Sequence, residues 1–134
     1  NRVQEFLNKI EYGNQTTSSN LDLYWSDFSL KISPLEQVTL LKKFNTNEFH
    51  LNSQNVFSVK NAIKIASTPN GNFYGKTGTG RVNGQDINGW FIGYVETSDN
   101  SYYFATNIQS DSNATGKKAF EITSDILKKL HIWN

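Results

Sequence analysis

Tyr74-Gly75-Lys76-Thr77-Gly78-Thr79-Gly80 carries more chemistry than any other stretch of the chain. Gly75, Gly78 and Gly80 have no Cβ, so another molecule can lie close to the backbone there. Lys76 brings a charge and three donors, and Thr77 and Thr79 bring one hydroxyl each. A strand carrying this series presents donors to an anion, such as the carboxylate of a small substrate. A glycine-rich hairpin with a solvated lysine would read the same way over the tripeptide Lys76-Thr77-Gly78 alone. The remaining residues decide between the two.

Other chemistries find little support. The chain has no cysteine, which removes disulfides, thiolate nucleophiles and cysteine-type zinc sites and fits an exported bacterial protein. His50 and His131 stand alone, with no carboxylate cluster, so no metal site is expected. There is no Gly-x-Ser-x-Gly turn, and Gly75-Lys76-Thr77 lacks the earlier glycine of a phosphate-binding loop. A net charge of +1 gives no footprint for nucleic acid. Lys42-Lys43, Lys117-Lys118 and Lys128-Lys129 read first as solvated helix faces. No apolar run approaches the ~18 residues of a membrane-crossing helix.

The elements that must position Lys76 follow from periodicity. The 134 residues suit one domain. Val3, Phe6, Leu7 and Ile10 predict a helix over Arg2–Ile10, ended near Gly13. Leu21–Ile32 reads as a linker with buried anchors. Ser33, Pro34 and Glu36 form a capping box with proline at the first helical position. Leu35, Val38, Leu41 and Phe44 extend that helix as its apolar stripe. A third helix is expected from a Ser53 cap through Ala66. Strands are expected over Asn72–Thr77, Trp90–Glu96 and Ser101–Ile108, with a loop over Gly80–Gly89. A closing helix over Gly116–Leu130 would turn Ala119, Ile122, Ile126, Leu127 and Leu130 inward. The class is therefore α+β, an antiparallel sheet of three C-terminal strands flanked by helices.

Several pieces in order make the pattern specific. They are Tyr12-Gly13-Asn14, Tyr24-Trp25, Ser29 to Gln37, Tyr74 to Gly80, Asn88 to Val95 and Tyr103-Phe104-Ala105. Together they resemble the C-terminal half of the penicillin-recognising class D family. That family comprises class D serine β-lactamases and the sensor domains of membrane β-lactam signal transducers. The resemblance implies a β-lactamase/transpeptidase-like fold, incomplete in this chain, with residues 1–134 the C-terminal part of one domain. It places the protein outside the cytoplasm, secreted or on the outer face of the bacterial cytoplasmic membrane.

The same resemblance implies roles. Lys76 and Thr77, beside Gly78, would hold a β-lactam carboxylate, and the Thr79 backbone N–H would be an oxyanion-hole donor. Trp25 would donate its indole N–H to a carboxylated lysine, the family's general base. Lys117 or Lys118 falls near a basic residue that holds the substrate carboxylate, where many members have arginine and its bidentate fork. No serine here has lysine three residues on, so the nucleophile and the carboxylated lysine are expected on a segment preceding Asn1. Ser26 stands where relatives usually have leucine. The resemblance implies no other cofactor. The expected main activity is hydrolysis through a serine acyl-enzyme. The alternative is a sensor that is acylated and not turned over.

Overall fold

The computed structural model describes residues 2–17, 24 and 28–134. Helix α1 (Arg2–Lys9) is followed by α2 (Pro34–Asn45) and α3 (Ser53–Ala62). Then come strands β1 (Lys64–Thr68), β2 (Gly71–Val82), β3 (Gln85–Thr97) and β4 (Ser101–Gln109), and helix α4 (Gly116–Lys129). The four strands form one antiparallel sheet in the order β1-β2-β3-β4. The α+β architecture is as expected, with corrections in its details.

The caps explain the helix boundaries. The Ser33 hydroxyl accepts the Glu36 N–H at 3.2 Å, and the Ser33 N–H donates to the Glu36 carboxylate at 2.8 Å. These Ser33 contacts hold the Glu36 carboxyl below its usual range. Helix α3 is capped by Asn52, one residue before the expected Ser53. It stops at Ala62, and the stretch expected to finish it is β1. Tertiary pairing with Gly71–Tyr74 outweighs the local pattern there. The expected Gly80–Gly89 loop is mostly strand. Asn83 and Gly84, both at positive φ (49° and 77°), form a two-residue hairpin turn that lengthens β2 and β3.

Strand alternation divides the sheet. On one face Phe73, Phe91 and Val95 pack with Ala119 and Leu127 of α4, bordered by Phe104, Phe120 and Trp133. The Phe73 and Phe91 rings meet edge to face at 6.1 Å, and Phe91 meets Phe120 the same way at 5.0 Å. Burying each such ring stabilises the fold by about 1.5–3 kcal/mol. Trp133 reaches Phe73 because α4 ends in a Schellman turn. His131 is left-handed (φ 55°), Ile132 N–H bonds Leu127 O at 2.9 Å, and His131 N–H bonds Lys128 O at 3.0 Å. Ile122, Ile126 and Leu130, expected inward, are exposed, while Thr123 is buried against Thr106. Leu35, expected in the α2 stripe, is 80% exposed, and Gln37 and Leu41 are the buried residues of that helix.

The opposite face carries Tyr74, Tyr94 and Tyr103 side by side across β2, β3 and β4. Tyr74 and Tyr94 stack at 4.7 Å, and Tyr103 lies 5.7 Å from Tyr94. Asn45, at the end of α2, covers this row by donating to Tyr103 Oη (2.9 Å) and Glu96 (3.1 Å). Lys76 lies on this same face, farther along β2.

Candidate active-site wall

The wall is built on the part of β2 that outruns β1. The last contact across that edge is Gly75 N–H to Ile63 O, at 2.8 Å. In an antiparallel ladder every second residue directs its N–H and C=O to the same side. Gly75 directs its N–H away from β3, so Thr77 and Thr79 do the same in the continuous register from Gly71 to Gly80. Their N–H groups therefore lie along an edge that no described strand occupies.

Side chains alternate between the two faces. The expected single row of donors is thus split: Lys76 lies on the tyrosine face and Thr77 and Thr79 on the α4 face. Lys76 is exposed, and its Nζ bends to the edge, donating to the Thr77 carbonyl at 2.5 Å. Among the described residues a Cβ built on Gly78 would meet only Trp90 Cβ, at 3.7 Å, so those residues leave the sheet surface beside Lys76 open. At Gly80 the same Cβ would strike the Phe28 ring at 2.8 Å. Phe28, held at φ 63°, brings the segment before α2 onto β2. From sequence, Phe28 is only one core anchor among several. Trp25 and Ser26 lie outside the described residues.

Tyr12-Gly13-Asn14 clips α1 to the stretch before α2. Gly13 has φ 49°, and a Cβ there would stand 1.8 Å from Lys31 O, so only glycine fits. Asn14 N–H donates to Lys31 O (2.9 Å), while its side chain accepts from Lys31 N–H (2.9 Å) and donates to Ser29 O (2.8 Å). Tyr12 Oη donates to the buried Gln37 at 3.2 Å. Burial, and then neighbouring Tyr24, push the Tyr12 phenol up.

The start of α4 closes against the wall. Thr115 caps it by accepting the Lys118 N–H at 3.1 Å. Gly116 N–H donates to Thr79 Oγ1 at 2.9 Å. A Cβ on Gly116 would lie 2.6 Å from Gly78 O, and one on Gly89 would lie 2.4 Å from Thr115 O. Glycines on β3 and α4 thus let the helix start sit against the sheet backbone. This role of Gly89 and Gly116 was missed from sequence; glycine as the first residue of a helix was the available signal. Lys117 and Lys118 are both exposed, and the Lys117 ammonium stands 4.0 Å from Glu121.

Residues 1–128 match the model of the penicillin-binding protein transpeptidase domain. The methicillin resistance mecR1 protein of Staphylococcus aureus is 45% identical over 97% of this chain, which spans 22% of that protein. Among solved structures, the C-terminal domain of the Bacillus licheniformis BlaR penicillin-receptor superposes with a TM-score of 0.92 at 45% identity, covering 98% of this chain and 53% of that one. A class D β-lactamase from Bacillus subtilis superposes at 0.89 with 37% identity, covering 99% and 54%. The chain therefore spans about half of these solved domains and about a fifth of the mecR1 protein. A strand edge unpaired among the described residues, with an ammonium folded onto it and a glycine-seated helix start against it, is thus set in a chain that belongs to the penicillin-binding protein transpeptidase domain family.

Proposed function

We propose that this chain forms the carboxylate-gripping wall of a β-lactam receptor domain that is acylated on serine and holds its acyl group. The observation that carries the reading is the edge of β2 beyond Gly75, which no described strand occupies, with Lys76 Nζ at that edge beside Gly78. Lys76 and Thr77 grip the β-lactam carboxylate, and Thr79 N–H faces the carbonyl oxygen as it becomes an oxyanion. Lys117 or Lys118 adds a second positive charge for the carboxylate. A preceding segment of the same domain supplies the serine. Its Oγ bonds to the lactam carbonyl carbon, the lactam C–N bond breaks, and the nitrogen takes a proton. A carboxylated lysine on that segment, oriented by Trp25, takes the serine proton.

The receptor reading is favoured over hydrolysis by the likeness to the mecR1 protein and the BlaR penicillin-receptor domain. Such a domain works on the outer face of the cytoplasmic membrane, and no helix among the described residues is long and apolar enough to cross one. The second reading, a class D hydrolase, is favoured by the B. subtilis β-lactamase superposition. A chromogenic cephalosporin separates them. The full-length protein is expected to release one equivalent of chromophore in a burst and to keep a stable acyl adduct by intact mass. Sustained release over many equivalents would establish the hydrolase, and no adduct at all would end both readings.

A further inference from the structure

We propose that the Thr79 hydroxyl is a positioning group that sets the start of α4 in register with the Lys76–Thr79 edge. The inference deepens the reading above and rests on it for its kinetic arm. The backbone N–H groups of a helix's first turn have no partner within the helix. In α4 the Lys118 N–H goes to the Thr115 cap, but the Gly116 N–H goes to Thr79 of the sheet. Gly116 lies so close to Gly78 and Thr77 that a Cβ would come within 2.9 Å of Thr77 Cβ. The helix start is therefore located by one directional bond on a contact with no side chain to spare.

Thr79 joins the two halves of the wall. Its N–H lies along the free edge, while its side chain, on the other side of the same residue, holds the α4 start. Lys117 and Lys118 immediately follow Gly116. Loss of the bond would shift the lysine pair relative to Lys76 and loosen the edge together. Valine keeps the β-branched shape and removes the acceptor, and serine keeps the acceptor.

The test uses full-length protein bearing Thr79→Val or Thr79→Ser. Acylation by a penicillin is compared with acylation by its carboxylate methyl ester. Thr79→Val is expected to slow acylation by the acid about tenfold or more, since misplacement by about 1 Å can cost ~10²-fold. It is also expected to shrink the acid-to-ester rate ratio, and Thr79→Ser, which restores the acceptor, is expected to recover most of both losses. Thr123→Val is the stability control. It breaks the Thr106–Thr123 bond of α4 (2.7 Å) without touching Gly116, and is expected to lower the melting temperature while leaving the ratio unchanged. An unchanged ratio in Thr79→Val, or an equal loss in Thr123→Val, overturns the proposal. Hydrogen exchange at the Gly116 amide reads the bond without any ligand. Thr79→Val should speed it and Thr79→Ser should not, and unchanged exchange in Thr79→Val also overturns the proposal. If the unaltered protein forms no adduct while the exchange result holds, the functional reading fails and the clamp stands.

Discussion

From Gly71 to Gly75, β2 is bonded on one side to β1 and the Ile63 carbonyl before it and on the other to β3; from Lys76 to Val82, among the described strands, it has β3 on one side only. The first stretch buries Phe73, Tyr74 and Gly75, whereas Lys76, Thr77, Gly78 and Thr79 are exposed. Glycine means opposite things in the two stretches. At Gly75 a Cβ would stand 2.5 Å from the Phe91 ring, which is 1% exposed and has nowhere to go. At Gly78 the nearest atom of the described residues to such a Cβ is 3.7 Å away. The same strand thus changes from a component of the core to an exposed surface at the residue where its outer partner β1 stops.

The comparison breaks most visibly at Gly75. Gly75→Ala is expected to overpack the core and cost about 1–3 kcal/mol, a large share of a domain's ~5–15 kcal/mol. Thermal or urea unfolding checks it, and a melting temperature equal to that of the unaltered protein would mean that the Phe91 contact yields. Next comes Lys76→Ala. Its side chain is exposed, so the melting temperature should hold. Acylation should fall by about 10–100-fold, the worth of a hydrogen bond from a charged group, ~1.5–3 kcal/mol. Stopped-flow acylation on the full-length protein measures it. Gly78→Ala sharpens the contrast with Gly75. The fold should tolerate it within about 0.5 kcal/mol, as surface substitutions do, while the methyl group occupies the open surface beside Lys76 and slows acylation several-fold. Equal damage to stability at Gly75 and Gly78 would erase the distinction between the two stretches.

How much of this was legible depends on the range of the forces involved. The Ser33–Glu36 cap was legible because it is complete within one turn. Strand β1 was not, because Lys64-Ile65-Ala66-Ser67-Thr68 has no alternation of its own and exists by pairing with β2. Asn83-Gly84 is a hairpin-turn pair, but it stands between Gly80 and Gly89 in a stretch whose composition also suits a loop. In α4 the apolar positions form two overlapping stripes. The close seat of Gly116 against Gly78 orients Ala119, Thr123 and Leu127 inward, and no periodicity count contains that contact. The chemistry of Lys76 was legible from residue types. Its separation from the Thr77 and Thr79 side chains follows from the two-residue period of a strand. The Thr79–Gly116 bond, spanning 37 residues, needed the fold.

The smallest expected effect lies in the paired stretch of β2, at the partner of Tyr74. Tyr94 is fully buried, and its hydroxyl has no hydrogen-bond partner among the described residues. Removing an unsatisfied buried donor recovers part of its desolvation cost, so Tyr94→Phe should leave the melting temperature unchanged or raise it, by at most about 1–2 kcal/mol. The effect should grow with pH. Burial first, then the Glu96 charge, push the Tyr94 phenol above its ordinary value of 10.0. A raised folded-state value means that the stability linked to neutral Tyr94 is present below pH 10 and is lost as the pH rises through the folded value. The Tyr94→Phe protein has no such proton to lose, so its stability should decline less steeply above pH 10. Urea unfolding at pH 8 and pH 10.5 measures the difference. A Tyr94→Phe protein that is less stable at both pH values would show that the hydroxyl is bonded after all, and that the tyrosine face is satisfied by a group beyond the described residues.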